Sequence, residues 1–95
     1  MRIRWSDRAR QQVVEIFQYI ARDRPNAAED LVFAFFERVE LLAEFPEQGE
    51  PWGDGTRPDL RQLVHKSHRI VYRVDPGEIS VLSVRHTRME MDEEV

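Results

Sequence analysis

The chain has no cysteine, a single lysine (Lys66), no tyrosine beyond Tyr72, and no apolar run near the ~20 residues that would cross a bilayer. Without cysteine there is no disulfide framework and no thiolate metal site. The three histidines, His65, His68 and His86, lack a spacing typical of zinc, so neither a metal nor a cofactor is expected. The N-terminal "MRIRWSDRAR" has no apolar stretch of the kind that marks a signal peptide, which leads us to expect a cytoplasmic protein with no membrane partner. At 95 residues with 41% hydrophobic content the chain is sized for one domain and not for two. We place that domain at residues 1–88, with 89–95 ("MEMDEEV") as an acidic C-terminal tail.

The formal net charge of −4 conceals a segregation of sign. Residues 1–56 carry 7 basic and 11 acidic side chains, whereas residues 57–88 carry 7 basic and 3 acidic ones, and the tail adds four more carboxylates. The basic character is therefore local. It falls on Arg57, Arg61, Lys66, Arg69, Arg73, Arg85 and Arg88, and such a cluster marks a surface for an anionic partner, or the solvated face of a sheet.

Hydrophobic periodicity orders the elements. Met1, Ile3 and Trp5 alternate with Arg2 and Arg4, as in a short strand with one buried face. Ser6 is positioned as a helix N-cap with Asp7 in the first turn, and Ala9, Val13, Ile16, Phe17 and Ile20 then recur at helical spacing. Pro25 interrupts, and Asn26 with Glu29 has the form of a capping box opening a second helix, which runs through Leu31, Val32, Phe35, Val39 and Leu42 until Pro46. A glycine- and acid-rich loop follows. Beyond it, 60–64, 69–74 and 78–84 read as successive strands, the last two joined by Asp75-Pro76-Gly77-Glu78. The order β-α-α-β-β-β predicts an α+β fold, a helical hairpin packed on a mainly antiparallel sheet of about four strands.

Three groups of residues stand out as candidate sites. Arg69 and Arg73 share one orientation on their strand, and Arg61 and Arg85 are expected beside them. His86, flanked by Arg85 and Arg88 at a strand end, is either structural or a general acid or base acting on a phosphodiester. On the second helix, Phe33, Phe36 and Leu41 depart from the core stripe, so they pack under the long loop with Trp52 as a lid or wait for a partner.

Read together, "WSDRARQQVVEIFQYIARDRPNAAEDLVFAFFERVELLAEFPEQG", Arg61, "HRIVYRV" and the terminal "VRHTR" resemble the RelE/ParE superfamily of type II toxin–antitoxin toxins over nearly the whole chain. "FPEQG", "RIVYRV" and the Val84-x-His86-x-Arg88 ending carry most of the resemblance. RelE-like members cleave mRNA in the ribosomal A site with several cations around the phosphate and often a terminal aromatic hydroxyl. ParE-like members poison DNA gyrase. One lysine, and Thr87 where the nuclease branch typically has tyrosine, favour the ParE-like branch. The resemblance then implies a gyrase-inhibiting toxin that assembles with a cognate antitoxin through that partner's acidic amphipathic C-terminal segment. Its expected contacts are Phe33, Phe36, Leu41, Arg61, Arg69, Arg73 and Arg85, with His86 and Arg88 toward the target. The alternatives are an endoribonuclease using His86, Arg61, Arg69 and Arg85, and a remnant that binds antitoxin without toxicity.

Overall fold

A computed structural model describes residues 1–88; the acidic segment 89–95 lies outside the described residues. Five strands and two helices follow in the order β1 (Arg2–Trp5), α1 (Asp7–Ala21), α2 (Pro25–Glu40), β2 (Glu50–Pro51), β3 (Leu60–His65), β4 (His68–Asp75) and β5 (Glu78–His86). The sheet order is β1-β5-β4-β3-β2, with β1 parallel to β5 and every other pairing antiparallel. The two-residue β2 supplies the fifth strand from a segment whose composition signals only a loop, because pairing with β3 is set by the partner and not by local alternation.

Ser6 does more than cap. Its hydroxyl accepts from the Ala9 N–H (3.0 Å) and donates to the Leu82 carbonyl (3.1 Å), so the first turn of α1 is pinned to β5. The capping box expected at Asn26 and Glu29 does not form. Pro25 already occupies the first helical position, for which its fixed φ and missing N–H suit it, and Asn26 is thereby drawn inside the helix, leaving Arg24 at the cap with no side-chain bond. α2 tightens at its end into a 3₁₀ turn over Leu41–Ala43 before the chain leaves at Pro46.

Both helices lie on one face of the sheet. Ala9 and Val13 of α1, Phe35 and Val39 of α2, and Leu42 meet Leu63, Ile70, Tyr72, Ile79, Val81 and Val84 in a single buried cluster, with Ile3 and Trp5 at its margin. The other face carries no helix, and it holds most of the charge discussed next. None of the helices among the described residues is long and apolar enough to cross a membrane.

Candidate functional site

In an antiparallel pair, directly opposed residues point to the same face, so register fixes the composition of the helix-free face. Four rows cross it: Val64, Arg69 and Arg85; Glu50, Gln62, Val71 and Ser83; Leu60, Arg73, Ser80 and Arg4; and, at the far end, Asp75, Glu78 and Arg2. The first of these rows sets Arg69 and Arg85 directly opposite each other across β4 and β5.

A bulge brings Arg85 there. Val71 pairs with Ser83 but Tyr72 pairs with Val81, which leaves Leu82 as an extra residue in β5. An uninterrupted alternation would have sent Arg85 to the same side as the core residues Ile79 and Val81; one inserted residue reverses every side chain beyond it. Val84 consequently joins the core, while Ser83 and Arg85 turn outward. Beneath the arginines Val71 and Ser83 are buried, and Gln62 Oε1, Arg69 Nε and Ser83 Oγ are enclosed without a hydrogen-bond partner in the described protein. Arg73 is differently placed: its Nε donates to both carboxylate oxygens of Asp75 (2.8 and 3.1 Å), and this holds Asp75 below the usual carboxylate range.

The structure thus unites Arg69, Arg73 and Arg85, as expected from the sequence, but removes Arg61 from them. Arg61 is opposite Tyr72 and shares the helix side of the sheet, where its Nη1 donates to the carbonyls of Gly49 (2.8 Å) and Glu47 (3.4 Å). The Tyr72 hydroxyl in turn donates to the Pro46 carbonyl (2.8 Å) and accepts from the Gly49 N–H (2.9 Å). Arg61 is a structural clamp on the loop that leaves α2.

His86 is likewise on the helix side. It opposes His68 (ring centroids 5.3 Å apart), and His68 lies against Phe35 (5.5 Å), which also meets the His65 ring (6.1 Å). The Nδ1 of His86 accepts from the Arg88 N–H (3.1 Å), which assigns the remaining ring proton to Nε2. The four residues of the endoribonuclease alternative are therefore dispersed: His86 (opposite His68) and Arg61 (opposite Tyr72) on one side of the sheet, four residues apart along β4, and Arg69 and Arg85 on the other. No single phosphate reaches all four. No group of histidines and carboxylates among the described residues has the geometry to hold a metal ion.

Burial, then the neighbouring His86 and His65, lowers the pKa of His68 below its ordinary 6.5; His65 is lowered by burial and then by Arg38 and Lys66. The folded state thus takes up protons less readily than the unfolded chain. Stability is fully present above pH 6.5 and is lost as pH falls below it toward the depressed folded values. Urea midpoints measured from pH 8 downward should be flat and then decline, and His68→Gln should reduce that decline.

Phe33 and Leu41 do not pack under a loop. They are 65% and 47% exposed, and Phe36, 42% exposed, sets its ring against Trp5 of β1 in a tilted contact with centroids 4.9 Å apart. They occupy the side of the molecule away from the three arginines, so the surface that sequence reasoning assigned to one acidic partner segment is two surfaces.

The fold is that of a RelE/ParE-type toxin. A family model described as "ParE toxin of type II toxin-antitoxin system, parDE" matches residues 3–91, and the chain belongs to that family. Among proteins it is similar to, Y4kP of Sinorhizobium fredii (strain NBRC 101917 / NGR234), named as a toxin, is 35% identical over 91 residues, covering 94% of this chain and 91% of that one. Among solved structures, the chromosomal ParDE TA system from P. aeruginosa superposes with a TM-score of 0.76 at 22% identity, over 90% of this chain and 95% of that chain. The toxin–antitoxin complex RelBE2 from Mycobacterium tuberculosis gives 0.63 at 19% identity with the same coverage. At those identities the structural likenesses define the fold alone.

Proposed function

We propose that this ParE-family toxin acts by binding DNA gyrase and blocking replication, and that a cognate antitoxin silences it by laying an acidic C-terminal segment across Arg69, Arg85 and Arg73. The observation that carries this reading is that Arg69 and Arg85 stand opposite each other on a helix-free face, with Arg69 Nε enclosed and without a hydrogen-bond partner among the described residues, where carboxylates from a partner would form bidentate pairs. That both solved neighbours named above are toxin–antitoxin systems supports a partner of this kind. Gyrase as target follows the ParE branch, and the separation of His86 from Arg69 and Arg85 by the sheet supports binding in place of phosphodiester cleavage.

A gyrase supercoiling assay run beside ribosome-programmed mRNA cleavage tests it. The parent protein should inhibit supercoiling and leave mRNA intact, and His86→Gln should keep most of its inhibition. If His86 were the general acid or base of a nuclease, His86→Ala would instead lower cleavage by about 10²–10⁴-fold. Cleavage of mRNA by the parent protein, lost in that variant, would overturn the gyrase reading.

A further inference from the structure

The outer side of α2 breaks two local rules at once. Between residues 25 and 44 the sequence places five carboxylates, Glu29, Asp30, Glu37, Glu40 and Glu44, against one cation, Arg38. All five are exposed, and none forms an ion pair among the described residues. Arg38 gives them no relief, since it turns to the opposite side and donates to the Val64 carbonyl (3.1 Å) beside His65. Glu37 and Glu40 are three apart, Glu40 and Glu44 four apart, spacings at which like charges repel on a helix. Glu37 and Glu40 also occupy the last turn of α2, where the helix dipole disfavours anions.

Among these carboxylates lie the exposed apolar side chains already described. Phe33, Phe36 and Leu41, with Glu37, Glu40 and Glu44, line one groove of about 450 Å³. Locally unfavourable charge around an uncovered apolar strip, with no compensation inside the domain, is the pattern of a surface completed by something else.

We propose that this groove docks a basic amphipathic helix of a partner protein. Apolar residues of that helix enter between Phe33, Phe36 and Leu41, and lysines or arginines on its flanks pair with Glu37, Glu40 and Glu44. An acidic segment, which suits the arginine face, is repelled here. The two surfaces have opposite charge and lie on opposite sides of the sheet, so both can be occupied together.

The test uses the full chain and two labelled synthetic helices with one apolar pattern, the first of leucine and lysine, the second of leucine and glutamate, followed by fluorescence anisotropy. The Leu/Lys helix should bind with an affinity that falls as salt rises and that Arg69→Glu leaves unchanged, whereas any Leu/Glu binding should be that of the arginine face, lost in Arg69→Glu and indifferent to Phe33→Ser. Phe33→Ser, at an exposed position, should weaken binding at least about tenfold with the far-UV circular dichroism unchanged. The pair Glu37→Lys and Glu40→Lys should release the Leu/Lys helix and admit the Leu/Glu one. Leu/Glu binding by the parent protein that Phe33→Ser abolishes, or Leu/Lys binding that survives both variants, would overturn the proposal. So would self-association of the chain that Phe33→Ser abolishes, which would assign the groove to a second copy.

Discussion

Gly49→Ala should lower the stability of the domain by about 2–4 kcal/mol, a large part of what a domain of this size has to lose. A Cβ built at Gly49 would lie 2.6 Å from the backbone carbonyl oxygen of Gln62 and 2.6 Å from the Tyr72 hydroxyl. The carbonyl belongs to a paired strand and cannot retreat, so the loop must lift away. With it go the Gly49 N–H bond to Tyr72, the Tyr72 bond to Pro46 and the Arg61 bond to Gly49, and the fully buried phenol is left with unpaired polar groups. A urea titration with the slope held common measures the loss. Tyr72→Phe removes the same hydroxyl without the clash and should cost less, about 1–2 kcal/mol. If Gly49→Ala proves no worse than Tyr72→Phe, the close approach is not what fixes glycine there.

Arg69→Glu should move folding and binding in opposite directions. In the free toxin it replaces a like-charge pair with an opposite-charge one facing Arg85, a change worth roughly 0.2–1 kcal/mol in favour of the fold. Antitoxin affinity should nevertheless fall on the order of 10²-fold or more, since a carboxylate would then face carboxylates. A destabilised protein cannot produce that combination, so calorimetry of the free chain and titration of the complex together separate lost recognition from lost structure. Milder changes grade the face. Arg69→Lys keeps the charge but loses the planar fork, and should weaken binding by several-fold, most visibly at low salt. Arg73→Lys should matter less for the partner, because Arg73 already spends its Nε on Asp75. Affinities that are indifferent to all three changes at every ionic strength would reduce the arginines to solvation.

Much of this architecture can be read without coordinates, and the failures have physical causes. The two helices are legible because Ala9, Val13 and Phe35, Val39 keep a helical period, and Ser6 announces its cap by residue type. Pro25 and Asn26 compete for the same helix start, and proline, needing no N–H partner, takes it. The bulge at Leu82 leaves almost no trace, because β5 is apolar on both sides of it and the alternation reads equally well in either phase; the face on which Arg85 lies depends on that single residue. Arg61 was misplaced for a related reason: its strand offers polar residues to both faces, and only register with Tyr72 decides. Of the pieces that resemble the toxin superfamily, "FPEQG", Arg61 and "RIVYRV" hold one another through Gly49 and Tyr72. They identify the scaffold. The arginine face shares only Arg69 and Arg73 with them.

The parallel pairing of β1 with β5 has a bearing on when the protein can act. Arg2 pairs with Glu78 and Trp5 with Val81, so the first strand to leave the ribosome finds its place only beside the last. At ~5–20 residues per second, several seconds pass between the synthesis of the two, and closing so long a loop is among the slower steps available to a small domain. β5 also brings Arg85 and the anchor for Ser6, so a growing chain carries neither the completed arginine face nor a pinned α1 until translation is nearly over. A nascent or prematurely terminated chain is thus incomplete both at the arginine face and at the seat of α1. That delay gives a partner already present in the cell its chance to meet the toxin as soon as it matures.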